Sequence, residues 1–129
     1  MASLEVRAET WPVRGAFTIS RGRRTEAELV VARLREGAHL GRGECVPYAR
    51  YGESVASVCG QIDSLGGALS AGLTREELQE ALPAGAARNA LDCALWDLEA
   101  KRKGKRVWEL AGLPAPEPLL TAYTLSLDA

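Results

Sequence analysis

Residues 28–35 and 38–45 read ELVVARLR and AHLGRGEC, and Glu36-Gly37 joins them. Two strand-prone runs separated by so short a connection, with a glycine in it, signal a β-hairpin. A third strand lies upstream. From Ser3 to Trp11 the chain alternates: Leu4, Val6 and Ala8 point one way, and Glu5, Arg7 and Glu9 point the other. That is the pattern of a half-buried strand, and Pro12 is expected to end it. Residues 13–27 hold Gly15, Gly22 and the arginines Arg21, Arg23 and Arg24 without a clear period, and read as a long loop. The expectation is a three-stranded antiparallel meander.

After Pro47 the period changes from two to three and four. Val55, Val58, Cys59, Ile62, Leu65 and Leu69 fall on one face of an amphipathic helix, with Ser54 as N-cap and Gly66-Gly67 weakening its far end. Thr74 and Glu77 predict a capping box that opens a second helix, with Leu73 and Leu78 at the staple positions. A third helix is expected from Ala86 to Lys103, closed by Gly104, with Cys93 and Trp96 widening its apolar face. A short helix over Val107 to Ala111 follows. Segregated strands and helices indicate an α+β domain. Leu113 to Pro118 reads as a linker, and Leu119 to Leu127 (LLTAYTLSL) as a strand fit for burial on both faces. That strand has no neighbour in the sequence, which suggests a truncated protein. The expected division is 1–113 for the α+β domain and 114–129 for the linker and strand.

Composition narrows the class. Hydrophobic residues form 47% of 129, enough for a core, but aromatics are 5%, so Leu, Val and Ala must fill it. Sixteen basic and 17 acidic residues leave a formal net charge of -1, which gives no reason to expect a nucleic acid or membrane partner. Three cysteines (Cys45, Cys59, Cys93) without a CxxC spacing argue against a disulfide framework or a zinc site, and are expected to be reduced and mostly buried. No signal pattern opens the chain, and the expected location is cytoplasmic.

Three stretches could carry chemistry. Arginines 21, 23 and 24 lie within four residues, and guanidinium groups grip carboxylates through paired hydrogen bonds. The loop reads as a carboxylate-binding loop or as a solvated one. Residues 43–53 (GECVPYARYGE) could wall a site or pack on the helices. The run Lys101 to Lys105 fits a helix C-terminus, whose dipole favours cations. Asp92, Asp97 and Glu99 fit helix-surface pairing with Arg88, Lys101 and Arg102. His39 has no motif around it. The residues alone point to no catalytic group and no metal site.

Trp11-Pro12 with the loop to Arg24, the stretch GECVPYARYGES (43–54) and the stretch LPAGAARNALDCALWDL (82–98) together resemble the N-terminal cap of L-Ala-D/L-Glu epimerases, in the muconate-lactonizing branch of the enolase superfamily. The resemblance covers nearly the whole chain. The helix motif marks the fold, and PYARYGES with the arginine loop marks the dipeptide epimerases. It implies a cap packed on a modified TIM barrel, with two loops, Phe17 to Arg24 and Pro47 to Gly52, closing over the barrel mouth and setting specificity. It implies 1,1-proton transfer at the α-carbon of the C-terminal residue of a dipeptide. Two lysines serve as base and acid, and a Mg²⁺ ion held by three carboxylates stabilises the enediolate, all on later barrel strands. The strand 119–127 would be the first barrel strand.

By the same resemblance Arg24 suits the substrate's glutamate carboxylate, Thr124 contacts substrate, and Phe17, Ile19 and Tyr51 join them. The implied partners are a dipeptide and the C-terminal barrel of the same enzyme; a homo-oligomer is compatible. The implied setting is peptidoglycan turnover, and the fragment alone is expected to be inactive. A muconate cycloisomerase, an o-succinylbenzoate synthase, a dipeptide epimerase of other specificity, or a stand-alone anion-binding module remain alternatives.

Overall fold

The computed structural model describes residues 1–19, 22–123 and 125. Its order is β1 (Ser3–Ile19), β2 (Gly22–Glu36), β3 (His39–Cys45), a 3₁₀ turn (Ala49–Tyr51), then α1 (Val55–Ser64), α2 (Gly66–Ser70), α3 (Arg75–Ala81), α4 (Ala86–Lys103) and α5 (Val107–Leu110). The sheet is an antiparallel meander in the order β1-β2-β3. The α+β expectation holds, and so does the expected start of each main helix.

The register explains the core. Leu4, Leu34 and Gly41 form one row across the sheet; Val6, Ala32 and Gly43 the next; Ala8, Val30 and Cys45 the third. These rows face the helices. Val30, Ala32 and Leu34 are fully buried against Val58, Ile62, Leu78, Ala90, Leu91 and Ala94. As composition required, the buried core contains no aromatic residue among the described positions.

α4 lies directly on β3, and two glycines permit it. A Cβ added to Gly43 would land on the Ala90 carbonyl oxygen and stand 2.8 Å from the Ala94 amide nitrogen. One added to Gly41 would strike the Ala94 carbonyl and come within 2.6 Å of the Leu98 Cβ. Glycine on the strand and alanine on the helix bring the two backbones together with no side chain between them. Side chains of α4 then occupy the free edge of β3. The Arg42 amide donates to Asp97 Oδ2 at 2.9 Å, the Lys101 ammonium donates to the Leu40 carbonyl at 2.7 Å, and the Asn89 amide donates to the Glu44 carbonyl at 3.4 Å. An edge so covered cannot pair with another strand.

The opposite face of the sheet is a carpet of long side chains. Arg33 pairs with Glu5 and Glu9, Glu5 with Arg7, and Arg42 with Glu44 while standing 5.5 Å over the Trp11 ring. Val31, in the middle of this face, is only 1% exposed, consistent with cover by the aliphatic stems of such residues.

Several expectations are corrected. β1 does not stop at Pro12. It runs on to Ile19, and the expected loop 13–27 is a ribbon in which Phe17, Thr18 and Ile19 pair with Arg24, Arg23 and Gly22. β1 is an edge strand, where a residue lacking an N–H can be tolerated. Residues 13–16 bulge out between Pro12 and Phe17, with Gly15 at φ +77°. The ribbon has no helix behind it, so its sequence carries no core-facing alternation. The long first helix divides at Leu65, into α1 and α2, just before Gly66-Gly67.

Among the described residues of the expected strand 119–127, positions 119–123 and 125 form no strand, and Leu119, Leu120, Tyr123 and Leu125 are exposed. A strand requires a partner for its backbone groups, and none pairs with this segment. Cys93 is exposed and Cys59 half-buried, so Cys45 alone of the three thiols is buried.

The capping predictions hold. Thr74 and Glu77 exchange hydrogen bonds at 2.8 and 3.2 Å, and Ser54 with Ser57 does the same for α1. The basic run is not explained by the helix dipole alone. Lys101 pairs with Asp97, Lys103 with Glu99, and Arg102 with Glu36 at the β2–β3 turn. Nor does Arg88 engage Asp92. It donates to the Gln79 and Leu82 carbonyls at the end of α3, while Asp92 accepts from Gln79.

Gly43→Ala is expected to cost at least about 1–3 kcal/mol by overpacking. Gly60→Ala, at an α1 position with open space, is expected to stabilise by about 0.5–1 kcal/mol. Urea unfolding midpoints check both; equal midpoints for Gly43→Ala and the parent would refute the seam.

Glu99 supplies a pH-dependent element. Its hydrogen bond with Lys103, and then that with Arg75, holds its carboxyl below the ordinary 4.5. A depressed carboxyl stabilises the fold fully above its unfolded pKa and loses that contribution as pH falls through the folded pKa. Glu99→Gln should therefore cost about 0.5–1 kcal/mol at pH 7, and the difference from the parent should vanish at acid pH. Unfolding curves taken on both sides of pH 4.5 test it.

Candidate functional site

The ribbon at one end of the sheet faces the connection from β3 to α1. Between them lies a cleft of ≈ 620 Å³, walled by Arg23, Arg24 and Glu26 to Glu28 on one side and by Val46 to Arg50 on the other. The two stretches singled out in the sequence, far apart along the chain, thus meet across one hollow.

Strand pairing places the ribbon side. Arg24 lies opposite Phe17 in register. Among the described residues no carboxylate comes within ion-pair distance of Arg24, so its guanidinium can accept an anionic ligand without giving up a partner. Ile19 pairs with Gly22 at the ribbon's end. Arg21 and Thr124 lie outside the described residues.

The second side is a built loop. Tyr51 and Gly52 donate their amides to the Tyr48 and Ala49 carbonyls at 2.9 and 3.0 Å, closing the 3₁₀ turn. Gly52 ends it at φ +75°, a left-handed conformation that favours glycine. The Tyr48 and Tyr51 rings stand 5.7 Å apart, tilted by 41°. Tyr51 is 76% exposed. It lines a neighbouring hollow of ≈ 550 Å³, which it shares with Tyr48, Cys45, Glu53 and the start of α4. Arg24 and Tyr51 are therefore on adjacent hollows, with Tyr48 between them. Burial, reinforced by the charge of Glu53, pushes the Cys45 thiol up to about 11, so this wall presents no thiolate at neutral pH.

The sequence marks Tyr48, Arg50 and Glu53 only as members of the stretch 43–53, with no role for any one of them. Of the three, Glu53 leaves the clearest signal, at the start of α4. α4 starts after Gly85, which has no capping side chain, and a helix start without a local cap requires a donor's partner from elsewhere. Glu53 supplies it, accepting from the Ala86 amide at 2.7 Å.

Among the described residues no three or more His, Cys, Asp or Glu side chains are grouped to hold a metal ion. The cleft can grip and orient an anionic ligand. Among the described residues no helix is long and apolar enough to cross a membrane.

Comparison with known proteins accounts for this combination. The family model described as the mandelate racemase / muconate lactonizing enzyme, N-terminal domain, matches residues 1–112. The L-Ala-D/L-Glu epimerase of Escherichia coli (strain K12) is 54% identical over 125 residues, 97% of this chain and 39% of that protein. An enolase family member from Agrobacterium tumefaciens with homology to dipeptide epimerases, solved with bound sodium and L-Ala-L-Glu, superposes with a TM-score of 0.89 at 53% identity, over 99% of this chain and 39% of that one. A dipeptide epimerase from Methylococcus capsulatus, solved with Mg and L-Arg-D-Lys, has a TM-score of 0.69 at 30% identity, covering 85% of this chain and 34% of its own. The chain thus spans well under half the length of these relatives. A three-stranded meander backed by helices, with a cleft but no reaction centre among its described residues, is the cap fold of these enzymes, and the chain belongs to the mandelate racemase / muconate lactonizing enzyme N-terminal domain family.

Proposed function

We propose that this chain is the specificity cap of a Mg²⁺-dependent dipeptide epimerase whose substrate is L-Ala-D/L-Glu. The observation that carries the reading is the cleft that sets Arg24, without a carboxylate partner among the described residues, across from residues 46–50. A glutamate side chain ends in a carboxylate, and a guanidinium without a partner is the complementary group. The similarity to an epimerase of that specificity, at 54% identity, supports the same ligand.

On this reading residues 1–113 form the cap, and residues 114–129 the linker and first strand of a barrel. The exposed Leu119, Leu120, Tyr123 and Leu125 are what a segment entering a barrel sheet would present for burial. Arg24 binds the glutamate carboxylate. Phe17, Ile19 and Tyr51 supply apolar surface over the dipeptide, and Thr124 contacts it from the barrel strand. The reaction breaks the α C–H bond of the C-terminal residue, passing its proton to one lysine. A proton from a second lysine on the opposite side then forms the new C–H bond. By the similarity to the dipeptide epimerases, both lysines and the carboxylates for Mg²⁺ would lie in the barrel. The cap's own work is to hold the carboxylate, fix the orientation of the α-carbon and exclude water. We further infer that the dipeptide comes from peptidoglycan turnover and that the enzyme is cytoplasmic, where its free thiols stay reduced.

Exchange of the α-proton of L-Ala-L-Glu into deuterated water tests the assignment. The 129-residue chain should exchange nothing, and the polypeptide extended through its barrel should exchange readily; exchange by the short chain would sink the reading. In the extended enzyme Arg24→Ala should lower kcat/KM for L-Ala-L-Glu by about a hundredfold. The same substitution should leave L-Ala-L-Ala, which lacks the side-chain carboxylate, almost unaffected. Equal losses on both dipeptides would show that Arg24 does not read that carboxylate.

A further inference from the structure

We propose that Glu53 is a positioning residue for substrate recognition, the latch that fixes the loop 46–52 to the start of α4. Both of its carboxylate oxygens are engaged by backbone amides from different elements. Oε2 accepts from the Tyr48 amide at 3.1 Å, and Oε1 accepts from the Ala86 amide at 2.7 Å. One side chain therefore closes the loop on itself and ties it to the first residue of an 18-residue helix.

Three further observations give this contact its specificity. α4 has Gly85 at its N-cap and no side-chain cap of its own, so the Ala86 amide depends on Glu53. A Cβ at Gly85 would stand 2.9 Å from Glu53 Oε1, so the glycine makes room for the carboxylate. Its negative charge also sits at the positive end of the helix dipole, where it is favoured. α4 is the element seated by direct backbone contact on β3 through Gly41 and Gly43. The loop is thus referenced to the helix that sits backbone to backbone on the sheet. Its own remaining ties are the short-range hydrogen bonds of the 3₁₀ turn, with the Glu53 amide reaching the Tyr48 carbonyl at 3.4 Å.

The consequence falls on the cleft. Tyr48 lines both hollows, its ring meets that of Tyr51, and Arg50 faces the ribbon that carries Arg24. Holding the Tyr48 peptide sets how far these groups stand from Arg24. Loosening it leaves the reacting atoms alone, since they belong elsewhere, and widens the place where the side chain of the substrate is read. Such a defect appears in substrate binding before it appears in turnover.

Two measurements test the latch. The first is amide hydrogen exchange on the 129-residue chain. In Glu53→Ala the Tyr48 and Ala86 amides should exchange at least about tenfold faster while Val30 and Ala32 keep their protection. Glu53→Gln, which keeps one acceptor oxygen, should fall between and serves if the alanine variant does not fold. Unchanged rates at Tyr48 and Ala86 in the folded variants overturn the proposal whatever the enzyme's substrate.

The second measurement rests on the epimerase reading and uses the enzyme extended through its barrel. Glu53→Ala should raise KM for L-Ala-L-Glu by about tenfold or more with kcat within about threefold, and Glu53→Gln should recover part of the loss. Thr74→Ala removes a capping box remote from the cleft and should change neither constant. Equal effects of Glu53→Ala and Thr74→Ala, or an unchanged KM in Glu53→Ala, overturn it. An enzyme without epimerase activity would defeat the functional reading and leave the exchange result to decide the latch.

Discussion

The contact between Gly41 and Gly43 on β3 and Ala90 and Ala94 on α4 is the constraint on which the domain depends. Two backbones touch there, with no side chain between them to absorb an error. The close approach brings Asn89, Asp97 and Lys101 within reach of the free edge of β3 and seals it. It also settles where each end of α4 lies. The C-terminal end reaches the β2–β3 turn through Arg102 and Glu36. The N-terminal end arrives beneath the loop that follows β3.

From that placement the remaining helices follow. α3 docks on α4 through Arg75, whose guanidinium lies 3.4 Å over the Trp96 ring and bonds Glu99 at 2.9 Å. A planar cation held by an aromatic face on one side and a carboxylate on another is less free than an exposed ion pair, which is why this contact can define an orientation. α1 packs Val58 and Ile62 under the sheet. The helices and strands thus form one layer against another, and the cleft opens at the end of the sheet beyond the last helix-backed residues of β2.

Much of this was legible in the residues. Alternation in 3–11 and the Glu36-Gly37 connection between 28–35 and 38–45 announced the strands, and Thr74 with Glu77 announced α3. The broad apolar face of 86–103 announced α4. Each signal is local, and the structure obeys it. The ribbon of residues 12–19 and 22–27 was not legible, because its pairing is made by backbone atoms and none of these residues belongs to the core. The break between α1 and α2 was half visible in Gly66-Gly67. The partners of the basic run were hidden because Leu40 and Glu36 are distant in sequence. The site was legible as two stretches and not as a cleft. Nothing local shows that Arg24 and Tyr48 line one hollow, or that Tyr51 turns to the next. Glu53 left a trace only in the missing cap at Gly85.

The core is built from Val30, Ala32, Leu34, Val58, Ile62, Leu78, Leu91 and the alanines of α4. No described residue of the ribbon beyond Pro12, and none of residues 46–52, belongs to it. Folding and the ligand reading proposed for the cleft therefore fall to separate residues. On that reading, substitutions at residues 17–19 and 22–24 or in the loop would alter what the cleft accepts at little cost to stability, so long as the glycine seam and the carboxylate at position 53 persist. Such a division lets one scaffold diversify into caps for differently shaped ligands by neutral steps, with selection acting on the rim while the foundation stays unchanged.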